Sequence, residues 1–206
     1  MSESNVFDQN AEAYDSWYET HRELFLEELG AIKTLLPPGG AGLEIGVGTG
    51  RFAAALGIST GIEPSPAMTR IARKRGIEVF NATAEALPFE AESFDTILMV
   101  TTFCFVDDIH VALEEVRRVL KNGGSFVAGI IDRASEWGSR YLETKKANPF
   151  YEGARFYSAE EVISLLKQHG FESLQTQQTL FADGQKGLRE GYGRDGFVAM
   201  RGVVRK

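Results

Sequence analysis

A glycine-rich turn is the first part of this sequence whose residue types could hold a ligand. In LEIGVGTG, Leu43 to Gly50, glycines occupy alternate positions at Gly46, Gly48 and Gly50, and Glu44 precedes them in a short apolar run. Glycine lets the backbone approach a ligand closely because it has no Cβ and accepts positive φ. Such a turn is compatible with three reaction types: hydride transfer, phosphoryl transfer and methyl transfer.

The spacing around the turn separates these reactions. A phosphate-binding P-loop needs GxxxxGK followed by Ser or Thr, but residue 51 is Arg and no such sequence occurs. A dinucleotide-binding turn prefers GxGxxG, and the glycines here are one residue closer together. Glu63 ends the next predicted strand, where a carboxylate can accept two hydrogen bonds from a ribose diol. Glu63 alone therefore fits either adenosine cofactor, nicotinamide dinucleotide or S-adenosylmethionine.

Two further sets of side chains could take part in chemistry. Tyr14, Trp17, Tyr18 and His21 lie at i, i+3, i+4 and i+7, so they share one face of a predicted helix. That face is either part of a ligand site or the core side of the helix, and His21 is either a general base or a partly buried structural histidine. The single cysteine, Cys104, excludes an intramolecular disulfide and a cysteine-rich zinc site. No histidine, cysteine and carboxylate set has convincing metal-ligand spacing, so no metal is expected.

The elements that must position these residues alternate along the chain. Apolar periodicity and turn residues predict strands at 41–45, 58–63, 78–81, 95–102 and 125–131, with two late strands near 174–180 and 196–204. Helices are predicted as one long or two short segments within 9–36, and at 51–56, 65–74, from Asp107 or Asp108 through Leu120, and from Ser158 to His169. This alternation predicts an α/β fold with a parallel sheet covered on both faces, whose ligands lie beyond the carboxyl ends of the strands.

Length and composition indicate one domain, residues 1–206, with helices at 1–36 and a long mixed connection at 132–157. That connection is too long and too aromatic for a plain solvated loop. No signal peptide and no apolar run of membrane-spanning length is visible, so the expected place is the cytoplasm, with no membrane partner.

Charge is uneven: residues 1–36 contain eight acids and two bases, a net of −6 within a total of −7. The acids are Glu3, Asp8, Glu12, Asp15, Glu19, Glu23, Glu27 and Glu28. They are interpreted either as a solvated helix face or as the source of a negative electrostatic field that favours a neutral or cationic substrate. In either case they would repel a nucleic-acid backbone.

Four motifs in order resemble the class I S-adenosylmethionine-dependent methyltransferases over most of the chain. LEIGVGTGRF resembles the family's first motif, GIEPSPAM its second and ATAEALPFEAESFD its third. FDTILMVTTFCFVDDIHVALEEVRRVLKNGG resembles its later strand and helix, which end in RVLKPGG in the family. The likeness is closest to small prokaryotic, type 11-like members that act on free small molecules. It implies a Rossmann-like three-layer α/β/α sandwich with a seven-stranded, mostly parallel sheet in the order 3-2-1-4-5-7-6.

The resemblance also assigns residues to S-adenosyl-L-methionine and its product, S-adenosyl-L-homocysteine. The glycines would pass under the methionyl part, Glu44 would lie near its ammonium, Glu63 would hold the ribose, and Thr83 stands where many relatives have an Asp that accepts from the adenine amino group. The full implied set is Tyr14, Glu44, Gly46, Gly48, Gly50, Glu63, Pro64, Met68, Thr83, Ala84, Glu85, Thr101 and Thr102. Residues 1–36 would form a lid over the cofactor.

For the acceptor, the resemblance implies a pocket built from the lid and from residues 132–157, with Trp17, Tyr18, Arg133 and Tyr157 as candidates. The Asn/Asp-Pro-Pro-aromatic tetrapeptide of DNA amino-methylating relatives is missing after the strand at 95–102, which argues against nucleobase substrates. Transfer would be an in-line displacement to a nitrogen, oxygen or carbon of a small molecule, and His21 or Asp132 is a candidate base if a hydroxyl reacts. Two alternatives remain: an NAD(P)-dependent oxidoreductase and a non-enzymatic sensor of S-adenosylmethionine.

Overall fold

In a computed structural model of the chain, the structure describes residues 4–144, 148, 150–151, 153–180 and 187–206. The predicted lid, 1–36, and the predicted insertion, 132–157, therefore each include a few positions outside the described residues. One of these is Glu3, one of the eight N-terminal acids.

Among the described residues, a single sheet of eight strands forms the middle layer, in the order β3-β2-β1-β4-β5-β8-β6-β7. The strands are β1 Gly42–Ile45, β2 Thr60–Ile62, β3 Glu78–Phe80, β4 Phe94–Val100, β5 Leu120–Ile131, β6 Phe171–Thr179, β7 Arg189–Glu190 and β8 Phe197–Val204. Strands β1 to β5 are parallel, and β8 runs antiparallel between β5 and β6. The predicted fold class is confirmed. The strand count differs because the short β7 pairs with Gln177 and Gln178 of β6 at the edge, through contacts distant in sequence.

Eight helices flank the sheet within the described residues: α1 Ser4–Gln9, α2 Ala11–Thr20, α3 Arg22–Leu35, α4 Arg51–Leu56, α5 Pro66–Lys74, α6 Ile109–Val119, α7 Glu136–Thr144 and α8 Ala159–Gln168. Asp108, not Asp107, caps α6 by accepting from the N–H groups of His110 and Val111. Ser158 and Glu161 form the predicted capping box of α8. Within 9–36 the structure has two helices, α2 and α3, which agrees with the second predicted alternative, and α1 lies before that range. Helix α6 ends at Val119, because Leu120 is already extended and pairs with Phe94.

Two apolar clusters lie on opposite faces of the sheet. Alternate residues of β4 show this: Ile97 and Met99 belong to the cluster under α6 and α8, whereas Leu98 and Val100 belong to the one under α3 and α4. A strand that is buried on both faces reads as a continuous apolar run, as Ile97–Val100 of β4 does. Among the described residues, no helix is both long and apolar enough to cross a membrane.

An ion-pair network fixes α2 to the body of the molecule. The Asp15 carboxylate accepts from Arg51 Nε at 2.9 Å and from Arg75 Nη2 at 2.9 Å, and Arg51 also reaches Glu19. Burial opposes ionisation of Asp15, but hydrogen bonds from Arg51 and Arg75 outweigh it and hold the pKa of the carboxyl well below its usual range. The network joins α2 to α4 and to the end of α5, so it sets the position of the N-terminal helices.

We expect Asp15→Asn to lower the free energy of unfolding by about 1–2 kcal/mol at pH 7, a modest value because the pair is partly solvated. Because the folded-state pKa of Asp15 is depressed, its stabilisation is present above the unfolded pKa of about 3.9 and is lost as pH falls through the folded value. Urea unfolding at pH 7 and at lower pH measures this. Glu12→Gln, which changes an exposed acid of the same helix, is the matched control. An equal loss in both variants would contradict the role of the network.

Candidate functional site

A cavity of about 470 Å³ opens at the carboxyl ends of β1, β2, β3 and β4. This is the switch point of the sheet, where β1 and β4 are neighbours and the chain leaves them toward opposite faces. Its lining comprises Phe7, Tyr14, Ile45, Gly46, Gly48, Ile62, Glu63, Pro64, Met68, Ala82, Thr83, Ala84, Glu85, Val100, Thr101, Thr102, Phe105, Val106 and Asp107. Eleven of the thirteen residues assigned to the cofactor by resemblance are in this list.

The glycine turn after β1 forms one wall of the cavity. Gly46, Gly48 and Gly50 all have positive φ, at 66°, 54° and 83°. A Cβ on Gly46 would lie 2.5 Å from Oγ1 of Thr102, so this glycine is needed for close contact with the end of β4. Gly50 does not line the cavity. A Cβ there would lie 3.2 Å from Cα of Ala72, so Gly50 lets the turn pack against α5.

Glu63, at the end of β2, is a buried carboxylate that lines the cavity. The N–H groups of Gly48 and Ser65 donate to its Oε2 and Oε1, both at 2.9 Å. Burial raises the pKa of Glu63, while these two hydrogen bonds act in the opposite direction. Each carboxylate oxygen can accept a second hydrogen bond, so Glu63 both holds the glycine turn and presents acceptors to a ligand.

Glu44 lies under the turn and does not line the cavity. Its side chain is buried, and Oε2 has no hydrogen-bond partner among the described residues. Burial raises the pKa of the Glu44 carboxyl well above its usual range, and the charge of Glu63 adds to the effect. The backbone N–H of Ala53 donates to this carboxyl, so only its second oxygen is unsatisfied, and that oxygen is costly to bury beneath the loop that a ligand would contact.

The far end of the cavity is formed by the segments that follow β2 and β3. Pro64 and Met68 face Thr83 and Ala84 across it, and Met68 is almost completely buried. The carboxylate of Glu85 lines the same end, but its Oε1 accepts from the N–H groups of Asp107 and Asp108. Glu85 therefore ties the loop after β3 to the loop before α6.

Thr101 and Thr102 form the floor of the cavity, directly after β4. Thr101 has a φ of +50°, which is uncommon for a β-branched residue, and its N–H donates to the carbonyl of Gly129 at 2.8 Å. Strained backbone of this kind clusters at functional sites. Thr102 Oγ1 donates to the carbonyl of Val100 at 3.0 Å.

The N-terminal helices cover the cavity through Phe7 and Tyr14. The hydroxyls of Tyr14 and Tyr18 are hydrogen-bonded at 3.0 Å. Burial raises the pKa of Tyr14 to about 12, so its hydroxyl remains protonated at neutral pH. Phe7 was not predicted as a site residue because the helical pattern was followed only from residue 9; its place seven residues before Tyr14, on the same helical face, was the available signal.

A second, smaller cavity of about 20 Å³ adjoins the first at Thr101, which lines both. Tyr151, Phe156 and Tyr157 from the long connection after β5 form its wall, together with Phe103, Cys104, Ile130 and Ile131. The aromatic contacts continue from this wall to the lid: Tyr151 contacts Phe105, Phe105 contacts Phe7, and Phe7 contacts Tyr14.

Five residues predicted as catalytic or substrate-pocket residues line neither cavity: Trp17, Tyr18, His21, Asp132 and Arg133. His21 is exposed, stacks on the half-exposed Trp17 and contacts its carbonyl through Nδ1. Asp132 is buried but accepts from the N–H groups of Ala134 and Ala159, which caps local backbone. Arg133 pairs with Glu161 at 2.7 Å, near the start of α8. Within the described residues, no group of three or more His, Cys, Asp or Glu side chains could hold a metal ion.

Comparisons with known proteins agree with this geometry. A family profile described as a methyltransferase domain matches residues 43–128. Among solved structures, the chain is similar to a SAM-dependent methyltransferase, possible histamine N-methyltransferase, from Thermotoga maritima. The two sequences are 48% identical, and the structures superpose with a TM-score of 0.93 over 98% of this chain and 99% of that one.

Two curated relatives are similar over much of the chain. An uncharacterized protein of Methanocaldococcus jannaschii is 46% identical over 95% of this chain and 97% of its own length. An uncharacterized protein of Mycobacterium tuberculosis is 40% identical over 87% of this chain, which spans only 65% of that relative.

Proposed function

We propose that this chain, which belongs to the class I S-adenosylmethionine-dependent methyltransferases, moves a methyl group to a nitrogen, oxygen or carbon of a small molecule. The observation that carries the proposal is the large cavity, where the glycine turn, the buried Glu63 and the Thr101–Thr102 floor meet at the switch point of the sheet. Its volume of about 470 Å³ lies within the usual range for small-ligand pockets.

The residues present fit an adenosine joined to a charged amino acid. Glu63 has free acceptor capacity for a ribose diol, and Pro64 and Met68 offer apolar contact opposite the Thr83 hydroxyl. The buried acids Glu44 and Glu63 would be disfavoured as neighbours of a pyrophosphate, whereas a bound ammonium or sulfonium would favour their charged forms. The proposed contacts are therefore Tyr14, Gly46, Gly48, Glu63, Pro64, Met68, Thr83, Ala84, Glu85, Thr101 and Thr102, with Glu44 acting from beneath the turn.

When bound, S-adenosylmethionine supplies an electrophilic methyl carbon, and its sulfur takes the electron pair of the broken bond. The chain's own residues then need only to align the acceptor and exclude water, because the neutral sulfide that leaves requires no acid. Phe7 and Tyr14 close the cavity on the lid side, and Thr101 connects it to the aromatic wall of Tyr151 and Tyr157. An uncharged amine acceptor needs no base before attack. This suits a site in which His21 and Asp132 lie outside both cavities.

Small amines are the first acceptors to test, because the Thermotoga maritima relative carries the name of a possible histamine N-methyltransferase. The panel is histamine, tryptamine, phenethylamine and 1,4-diaminobutane, each paired with the alcohol in which a hydroxyl replaces every amino group of the side chain. The small-molecule fraction of a cell extract extends the panel beyond amines.

Calorimetry with S-adenosylhomocysteine and with NADH, followed by transfer of a labelled methyl group to this panel, tests the proposal. We expect S-adenosylhomocysteine to bind, NADH not to bind, and label to appear in at least one small molecule. Binding of NADH alone would indicate an oxidoreductase instead. Cofactor binding without transfer to any compound of the panel or extract would favour a sensor.

A further inference from the structure

Asp8, near the end of the N-terminal helix α1, is an acid whose carboxylate attaches that helix to the body of the molecule. Its Oδ1 accepts from the backbone N–H of Ala67 at 2.7 Å and from the hydroxyl of Ser65 at 3.0 Å. Both partners belong to the beginning of α5, which is distant from Asp8 in the chain. These two hydrogen bonds are called the Asp8 latch.

The Asp8 latch completes the N-terminal cap of α5. The first N–H groups of a helix have no acceptor within the helix, and a negative charge is favourable beside them. Ser65 Oγ accepts from the N–H of Met68 at 3.2 Å, and Asp8 accepts from the N–H of Ala67. One N–H group is therefore capped locally and the next is capped by a side chain of another helix, so α1 has a defined place on the first turn of α5.

Ser65 also connects the Asp8 latch to the large cavity. Its backbone N–H donates to Oε1 of Glu63 at 2.9 Å, while its hydroxyl donates to Asp8. Glu63 lines the cavity and is the proposed ribose contact. One residue therefore binds both the carboxylate that faces the cofactor and the carboxylate that holds α1.

Phe7, the neighbour of Asp8, lies between two walls of the large cavity. On one side it packs against a cluster that includes Ala67 and Met68 of α5. On the other side its ring contacts that of Phe105, which follows β4, with centroids 5.2 Å apart and the rings nearly perpendicular. Phe7, Met68 and Phe105 all line the cavity, so the position of α1 decides whether the cavity is covered on this side.

Helix α2 is fixed by separate contacts. Asp15 pairs with Arg51 and with Arg75, so α2 is joined to α4 and to the end of α5. Asn10 lies between α1 and α2 with φ −122° and ψ 20°, which interrupts the helical backbone. A change of dihedral angles at Asn10 therefore moves α1 and Phe7 without breaking the ion pairs of Asp15.

We propose that Asp8 controls access to the cofactor cavity. While the Asp8 latch is formed, α1 keeps Phe7 over the bound cofactor. When the two hydrogen bonds break, α1 turns about Asn10 and the cofactor exchanges. Asp8 does not line the cavity, so it is a positioning residue and acts through Phe7 and Ser65. This rests on the methyl-transfer function proposed above and names the residue that regulates entry and release at the same site.

The first test measures how fast S-adenosylhomocysteine leaves the protein, by dissociation of the labelled compound into an excess of the unlabelled one. We expect Asp8→Ala to raise this rate about tenfold, because two hydrogen bonds to a carboxylate are lost. Asp8→Asn keeps an acceptor oxygen, so its rate should lie between those of wild type and Asp8→Ala. Glu12→Ala, the matched control, removes an exposed acid of α2 and should release the compound at the wild-type rate.

Amide hydrogen exchange on the same complexes distinguishes a local latch from a general loss of stability. Asp8→Ala should exchange faster in α1 and at the amide of Ala67, and α3 should exchange as in wild type. The proposal is overturned if Asp8→Ala releases S-adenosylhomocysteine at the wild-type rate, if Glu12→Ala accelerates release equally, or if exchange rises in α3 as much as in α1. Failure of S-adenosylhomocysteine to bind the wild-type protein would instead overturn the proposed function itself, and this inference with it.

Discussion

Replacing Gly46 with alanine is expected to lower the free energy of unfolding by about 2–4 kcal/mol, from backbone strain and overpacking together. Gly46 has a φ of +66°, which an alanine adopts only at a cost, and its new Cβ would lie 2.5 Å from Oγ1 of Thr102. Thr102 would have to rotate and release the carbonyl of Val100. Because both residues line the large cavity, affinity for S-adenosylhomocysteine should fall as well.

Gly57→Ala separates the two causes. Gly57 also has a positive φ, +73°, but no atom in the described part of the chain lies within 4 Å of the Cβ it would gain. Its variant should therefore show only the backbone cost, about 1 kcal/mol, with no loss of cofactor affinity. Urea unfolding and calorimetry on the two variants provide the comparison. Equal destabilisation by both substitutions would mean that the contact with Thr102 carries none of the effect.

Replacing Glu63 with alanine is expected to weaken S-adenosylhomocysteine binding by about 1–3 kcal/mol, because ribose hydroxyls in a water-poor cavity would lose their acceptors. The substitution would also leave the N–H groups of Gly48 and Ser65 without their partner. Since Gly48 belongs to the turn that lines the cavity, both effects act on the same ligand. Calorimetry with S-adenosylhomocysteine measures the combined loss of affinity from both effects.

Glu63→Gln distinguishes the two contributions, because an amide retains one acceptor oxygen for the backbone while losing the carboxylate's second one. We expect it to bind S-adenosylhomocysteine more tightly than the alanine variant and less tightly than wild type. Glu78→Ala removes an exposed acid of the neighbouring strand β3 and should change nothing. Unchanged affinity in Glu63→Ala would remove Glu63 from the site.

The parts of the cavity that lie close in sequence to strand ends were predictable. Glu63 and Thr101 lie at the carboxyl ends of predicted strands and Thr83 follows one, and parallel strands bring their carboxyl ends to one edge of a sheet. Glycines at alternate positions indicate a turn with positive φ or close backbone contact. Gly46 and Gly48 could therefore be predicted to form part of this turn before any contact was known. These inferences depend on local backbone geometry, which short stretches of sequence carry.

Side-chain environments created by packing between distant segments were not predictable. The eight N-terminal acids were interpreted as a solvated face or an external field, and for Glu28 the solvated reading is wrong, because α3 packs across β5, β6 and β8 with that residue on its buried side. Its position three residues after Phe25 and four before Ile32 placed a carboxylate on the apolar stripe, and this was the overlooked signal. His21 shares the helical spacing of Tyr14 but lies where α2 ends, so its ring faces solvent.

The sequence by itself therefore determined the family, the order of the strands except β7 and of the helices except α1 and α7, and the turn and strand ends that meet at the large cavity, because these follow from motif spacing and backbone periodicity. Only the tertiary structure decided which side chains lose water: Glu28 on the buried side of α3, Asp15 between Arg51 and Arg75, and Phe7 over the cavity. Burial and pairing of a charge depend on elements that are distant in the chain and meet only in the fold, and no local pattern contains them.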